Sequence, residues 1–250
     1  MKAAILSLNS GKRPTARAAT AAFNGERQKI IPIWEFLCED EVRSSPRIHK
    51  ELLYCGAYDN NVYALNARSG QLVWKYPTEG GISASPSIWD DYVYIGSEDN
   101  VFYCLRADTG RIVWTKPTRG RIRSSARVAL AHVFFGSDDG YLYAVHAQSG
   151  REVWKFASGG PIRSSPSVER DLVFFGSNDG YFYALDIQNG RVQWRFRTNR
   201  AIVSSPAPTD NLVIFGSNDW NIYALEQGTG FNVWRRRTNL AVIASPTIAN

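Results

Sequence analysis

The chain has 250 residues, of which 44% are apolar and 13% aromatic, enough for a single domain with a large hydrophobic core. No apolar run reaches the roughly 18 residues that a membrane-spanning helix needs. The net charge is +6, but six basic residues and only one acid fall within residues 1–31. The remainder is nearly neutral, so we do not expect the one-sided basic surface of a nucleic-acid-binding domain.

The first 31 residues form a basic leader, and residues 32–250 carry the repeated sequence. Near the start, MKAAILSLNSGKRP has an apolar stretch of only six residues. A secretory signal needs an apolar region of about 7–15 residues. We therefore expect a chain that is not exported, and the sequence favours the cytoplasm.

Tryptophan recurs at intervals of 40 residues along almost the whole chain. A fixed period between 20 and 50 residues is typical of solenoids, propellers and arrays. Two glycine series and one tyrosine series keep the same step. The tryptophans are Trp34, Trp74, Trp114, Trp154, Trp194 and Trp234.

Each repeat consists of short predicted strands. Within residues 162–197, the runs IRSSPSV, LVFFG, YFYALD and RVQWRF are separated by glycine-containing turns. Such turns require backbone conformations that Asn, Asp and Gly tolerate. Four short strands in about 40 residues are typical of a propeller blade. We predict an all-β fold, a β-propeller of four-stranded antiparallel blades.

The segments ALDIQNGRVQW (184–194) and CLRADTGRIVW (104–114) resemble the tryptophan-docking motif of the PQQ-like propeller repeats. This family includes quinoprotein dehydrogenases and the outer-membrane assembly lipoprotein of Gram-negative bacteria. The resemblance covers residues 34–250. It implies that the SSP strand lies innermost and that the outermost strand docks its indole on the next blade. The structural tryptophans would then be Trp74, Trp114, Trp154, Trp194 and Trp234.

The positions at which the first and last repeats are interrupted indicate how many blades the chain forms. Five blades are complete, and an outermost strand (30–36) and an innermost strand (241–248) remain at the two ends. The leader segments AAILSL and TAAFNG would supply two middle strands, closing a sixth blade from both ends of the chain. The alternative is a fragment of a seven- or eight-bladed ring.

Positions where one repeat departs from the others are the candidates for function. Arg43, Arg123 and Arg163 directly precede the SSP segment or its equivalent. Guanidinium groups suit carboxylates and phosphates, so these arginines predict an anion site at the channel mouth. Trp89 and Trp220 are aromatic residues in loops and predict a partner surface.

The sequence shows no pattern typical of catalysis. Cys38, Cys55 and Cys104 are scattered and form neither a disulfide framework nor a zinc site. Turn aspartates such as Asp139 and Asp179 are explained by hydrogen bonds to turn amides. We expect a non-catalytic scaffold that binds a protein partner, with no metal or cofactor. The alternatives are a sensor of a small anion and a fragment of a PQQ-dependent dehydrogenase, which would need calcium ligands, a catalytic Asp and a vicinal Cys pair.

Overall fold

A computed structural model describes residues 32–248, which contain twenty β-strands and no helix. The strands form five four-stranded sheets, and in each sheet consecutive strands are neighbours. All pairings are antiparallel, as in the pairing of Leu172–Gly176 with Tyr181–Asp186. The five sheets confirm the predicted all-β propeller blades. The predicted leader, residues 1–31, lies outside the described residues, so the six-blade ring stays a prediction.

The first strand of each sheet is the shortest. These strands are β1 (Arg47–His49), β5 (Ser87–Trp89), β9 (Arg127–Ala129), β13 (Ser167–Glu169) and β17 (Ala207–Pro208). The second strands are β2 (Leu52–Gly56), β6 (Tyr92–Gly96), β10 (His132–Gly136), β14 (Leu172–Gly176) and β18 (Leu212–Ser217).

The third and fourth strands are longer, and the fourth carries the repeated tryptophan. The third strands are β3 (Asn61–Asn66), β7 (Val101–Arg106), β11 (Tyr141–His146), β15 (Tyr181–Asp186) and β19 (Asn221–Glu226). The fourth are β4 (Leu72–Pro77), β8 (Ile112–Pro117), β12 (Glu152–Ala157), β16 (Val192–Arg197) and β20 (Asn232–Arg237). We number the blades 1 to 5 in this order.

First strands of neighbouring blades lie against one another, whereas no other strands of different blades come so close. The first strand is therefore innermost, as the family resemblance implies. It is shorter than predicted because it begins after the SSP segment. The Ser165 amide, just before Pro166, donates to the Ser205 hydroxyl of the next repeat instead of joining the sheet.

The second and third strands of each blade are buried on both faces, so adjacent blades bury each other. Phe102 of blade 2 stacks on Phe135 of blade 3 with ring centroids 4.0 Å apart. Phe182 of blade 4 stacks on Phe215 of blade 5 in the same way. A blade on its own would expose both of its apolar faces to water, so each blade is stabilised by a neighbouring blade on each side.

The two end segments form no strand in their described portions, residues 32–36 and 241–248. Both nevertheless keep contacts typical of a blade. Trp34 docks on blade 1, and the Val242 amide donates to the carbonyl oxygen of Ser217. Ladder pairing requires a neighbouring strand, and the described residues provide none for either segment. Residues 32–248 contain no helix able to cross a membrane.

Candidate functional site

The tryptophans of the outermost strands join each blade to the next. In five cases the indole Nε1 donates to a backbone carbonyl oxygen 33 residues later, at 2.7–3.1 Å. The glycine three residues after that carbonyl packs against the indole ring, as Gly230 does against Trp194. The donors are Trp34, Trp74, Trp114, Trp154 and Trp194. Trp234 differs, because it is 41% exposed and has no acceptor within residues 32–248.

The repeated turn aspartates are fully engaged in the fold. In each blade the tyrosine hydroxyl of the third strand donates to the Asp Oδ2 at 2.7–2.8 Å. The same oxygen accepts a backbone amide from the preceding loop, for example from Asn199 to Asp219. Burial raises the pKa of Asp219, but hydrogen bonds from Tyr223 and Asn221 outweigh it and hold the pKa below its ordinary value. The pairs are Asp59–Tyr63, Asp99–Tyr103, Asp139–Tyr143, Asp179–Tyr183 and Asp219–Tyr223.

The three arginines predicted to hold an anion are each paired with a carboxylate. Arg123 reaches Glu98 through Nε at 2.9 Å and Asp138 through Nη1 at 3.0 Å. Arg163 contacts the same Asp138 at 2.8 Å. Arg43 pairs with Glu41, three positions before its SSP segment, and lies over the ring of Tyr58, whose hydroxyl donates to Glu98. The anion site stays a prediction, since these carboxylates offset the positive charge that it would need.

Glu98 lies at the centre of this network. Burial raises its pKa, but Arg123 and the hydroxyl of Tyr58 outweigh burial and lower it overall. Sequence analysis missed the network, although a signal was present. The spacing from Glu98 to Arg123 equals that from Asp138 to Arg163, because a turn of one blade lies beside the entry to the next.

Trp89 and Trp220 lie at opposite ends of the strands. Trp89 ends an innermost strand, and its side chain packs partly against the core between blades 2 and 3. Trp220 lies in the turn between β18 and β19, with a φ of 71° and 41% of its surface exposed. Turns after first strands and turns after second strands emerge on opposite faces, so these two residues do not form one surface.

A basic cavity of about 450 Å³ borders the turn that contains Trp220, although Trp220 itself does not line it. It is lined by Arg235, Arg237, Asn199, Asn221 and Asp219. Both arginines are exposed, and neither has an ion pair within residues 32–248. Asp219 is engaged by Tyr223 and backbone amides, so the arginines dominate the charge available to a ligand.

The cysteines occupy apolar surroundings. Cys38 packs against the core cluster that contains Cys55, and Cys104 belongs to another cluster. All three are free thiols. Burial, followed by the charge of Asp59, raises the pKa of Cys38 to about 11. Burial also raises the pKa of Cys55 to about 12. A raised thiol pKa disfavours the reactive thiolate.

The family model described as outer membrane protein assembly factor BamB matches residues 31–87, 60–145 and 126–248. The chain belongs to this PQQ-like repeat family. No curated protein matches it significantly.

Three solved structures share a similar fold. BamB from Moraxella catarrhalis has a TM-score of 0.74 and 21% identity, over 83% of this chain and 68% of that one. The computationally designed Ika8 protein has a TM-score of 0.75 and 16% identity, over 83% and 65%. Quinohemoprotein alcohol dehydrogenase ADHIIG from Pseudomonas putida HK5 has a TM-score of 0.68 and 18% identity, over 80% and 42%.

At these identities the structural likeness shows the PQQ-like fold alone. The chain spans 65% of the designed protein and less than half of the dehydrogenase. One neighbour is an assembly factor and another an enzyme, and a shared fold does not determine function. The function of this family member must be argued from its own residues.

Two features that the resemblance to quinoprotein dehydrogenases implies, a vicinal cysteine pair and a cluster of metal ligands, do not occur within residues 32–248 of this chain. No two of its cysteines are adjacent in sequence. Residues 32–248 contain no group of three or more His, Cys, Asp or Glu side chains arranged to hold a metal ion. We therefore assign no chemical step to PQQ or calcium in this chain.

Proposed function

We propose that the chain is a non-catalytic propeller module that binds a protein partner through the surface around Trp220 on blade 5. The observation that carries the proposal is the conformation of Trp220, a large exposed aromatic residue at a positive φ. The left-handed region disfavours bulky side chains by about 1–2 kcal/mol. Residues held there against such a cost cluster at functional sites.

The other repeats show what the turn itself needs. Blades 3 and 4 have Gly140 and Gly180 at the equivalent position, while blades 1 and 2 have Asn60 and Asn100. Gly and Asn both adopt positive φ at low cost. The turn therefore closes without tryptophan, and the indole is available to contact another molecule.

The surroundings of Trp220 indicate the chemistry of the partner. The adjacent cavity presents the guanidinium groups of Arg235 and Arg237. On the other side, the Thr238 hydroxyl lies within hydrogen-bond distance of the carbonyl oxygens of both Trp220 and Leu240. Leu240 is 76% exposed. This surface fits a protein segment in which an apolar side chain is flanked by carboxylates, since Trp and Arg dominate binding energy at interfaces.

We propose a non-catalytic role because the polar side chains that recur in the blades already form hydrogen bonds or ion pairs within the fold. The aspartate of each blade is saturated by a tyrosine hydroxyl and backbone amides. The arginine–carboxylate network around Glu98 is likewise satisfied internally. A general acid or base must instead reach a substrate.

Site-specific photocrosslinking tests the proposal. A photoreactive amino acid is placed at position 220 in one protein and at position 100, the equivalent turn of blade 2, in another. We expect position 220 alone to give a discrete adduct in cells that express the protein natively, identifiable by mass spectrometry. The Arg235→Glu/Arg237→Glu variant should lose this adduct, whereas Arg151→Glu/Arg191→Glu, which reverses two exposed charges on blades 3 and 4, should keep it.

The purified adduct partner then decides the chemistry. Its crosslinked peptide should contain carboxylates beside an apolar residue, and the peptide should bind the wild-type chain more tightly than the Trp220→Asn variant. Equal crosslinking at positions 100 and 220 would contradict the proposal, as would an adduct that survives reversal of both arginines.

A further inference from the structure

A separate cavity of about 480 Å³ lies along the central channel, between the innermost strands. Its walls include Arg47 on blade 1, Arg127 on blade 3 and serines of the SSP segments. None of its lining residues is a carboxylate. The cavity is thus lined by positive charge and hydroxyl groups.

Arg47 and Arg127 occupy the same position of the repeat and are unlike the arginines near Glu98. Both are exposed to the channel, and within residues 32–248 neither forms an ion pair or a side-chain hydrogen bond. The same position in blades 2 and 4 carries Ser87 and Ser167. The blade therefore folds without arginine there, so the two guanidinium groups are not required by the repeat.

Serine hydroxyls of the channel are arranged as donors. Each accepts the backbone amide of the serine 40 residues earlier, as from Ser45 to Ser85, Ser85 to Ser125 and Ser125 to Ser165 at 2.8 Å. A hydroxyl that accepts a hydrogen bond still has its own hydrogen to donate. Ser85, Ser125 and Ser165 all line the cavity.

We propose that this cavity binds a small oxyanion between Arg47 and Arg127, with hydroxyls of the SSP serines as further donors. The shared chemistry is that of a phosphate or a short dicarboxylate, whose oxygens accept charge-assisted hydrogen bonds from guanidinium groups. Glu169 holds the blade 4 position equivalent to His49 but does not line the cavity. The site is independent of the partner surface at Trp220.

Isothermal titration calorimetry at low ionic strength tests the site, with inorganic phosphate and succinate as separate probes. We expect saturable binding of one anion per chain. Arg47→Gln and Arg127→Gln should each weaken it about tenfold, because each removes a charge-assisted hydrogen bond. The control is Arg151→Gln/Arg191→Gln, which removes two exposed charges from the turns between the third and fourth strands of blades 3 and 4. This double variant should leave the affinity unchanged.

Circular dichroism melting of every variant shows that the loss is not caused by unfolding, since all four arginines are exposed. A preference for phosphate or for succinate identifies the class of oxyanion, and either supports the site. Failure of both probes to bind overturns it. Binding that is unchanged in the Arg47→Gln/Arg127→Gln double variant also overturns it, as does an equal loss in the control variant.

Discussion

The indole nitrogen of Trp194 in blade 4 donates a 2.7 Å hydrogen bond to the carbonyl oxygen of Gln227 in blade 5. The same relationship recurs at every described junction, beginning with Trp34 and Ala67. One hydrogen bond and one buried aromatic ring thus connect each blade to the next. The stability of the fold should depend on these side chains much more than on exposed tryptophans.

We predict that Trp194→Ala lowers the free energy of unfolding by about 3–5 kcal/mol, as expected for removing a large aromatic side chain from a core. Trp194 is only 9% exposed, whereas Trp234 at the equivalent position is 41% exposed. Trp234→Ala is therefore the matched control and should cost less than half as much. Urea unfolding followed by far-UV circular dichroism measures both. Equal losses would mean that docking on the next blade contributes little.

A pair of glycines in one turn allows an internal comparison. Gly230 has a φ of 73°, and a Cβ atom there would lie 2.5 Å from the ring of Trp194. Gly228 has no atom within 4 Å of such a Cβ. Gly230→Ala should destabilise the fold by about 2 kcal/mol or more, because left-handed strain adds to the clash.

Gly228→Ala should instead be neutral or stabilise slightly, by reducing the entropy of the unfolded chain. Thermal unfolding of the two variants side by side distinguishes these effects. If both variants lowered Tm equally, the close contact between the turn and the indole ring would be refuted.

The aspartate–tyrosine pairs predict a loss of stability in acid. Because the folded-state pKa of Asp219 lies below its ordinary value, its contribution is complete above the unfolded pKa of about 3.9 and disappears as pH falls through the folded pKa. The stability difference between wild type and Asp219→Asn should therefore shrink as pH is lowered from 5 to 2. Urea titrations at each pH measure it.

Tyr223→Phe provides the control for the cause of that shift. It removes one of the hydrogen bonds that lower the pKa of Asp219, so the acid-induced loss should be smaller than in wild type and should be complete at a higher pH. A difference that stays constant across this range would show that the carboxylate is not held in its charged form by the turn.

Trp220 should lower the stability of the fold while contributing to the binding of the partner. Trp220→Asn places at a φ of 71° the residue that Asn60 and Asn100 provide in their own turns. We expect the free energy of unfolding to rise by about 1 kcal/mol, because Asn tolerates the left-handed region. The same variant should lose the crosslinked partner. A variant that is less stable than wild type would show that the indole supports the fold.

The repeat made much of the fold predictable. Tryptophan recurs every 40 residues, and strands separated by glycine-containing turns lie between. This pattern was sufficient to predict four-stranded blades, because each blade is built from antiparallel pairings of consecutive strands. The innermost strands were predicted too long, since the SSP segment looks extended in sequence. Its amides donate to serine hydroxyls of the adjacent blade, which only the arrangement of the blades reveals.

The candidate sites were less predictable, because they depend on side chains from different blades. The arginine column at the channel mouth suggested an anion site, but its partners Glu98 and Asp138 come from the preceding turns. Arg47 and Arg127 carried no sequence signal beyond alternation with serine. Only their place in the channel, away from carboxylates, distinguishes them from solvated arginines.

Hydrogen exchange of the tryptophan indole N–H groups, followed by NMR, tests the docking of adjacent blades most directly. We expect slow exchange for Trp34, Trp74, Trp114, Trp154 and Trp194, whose indoles donate to carbonyls of the following blade. Trp220 should exchange rapidly, since its ring is exposed. Rapid exchange at the five docked indoles would contradict the role assigned to the repeated tryptophans.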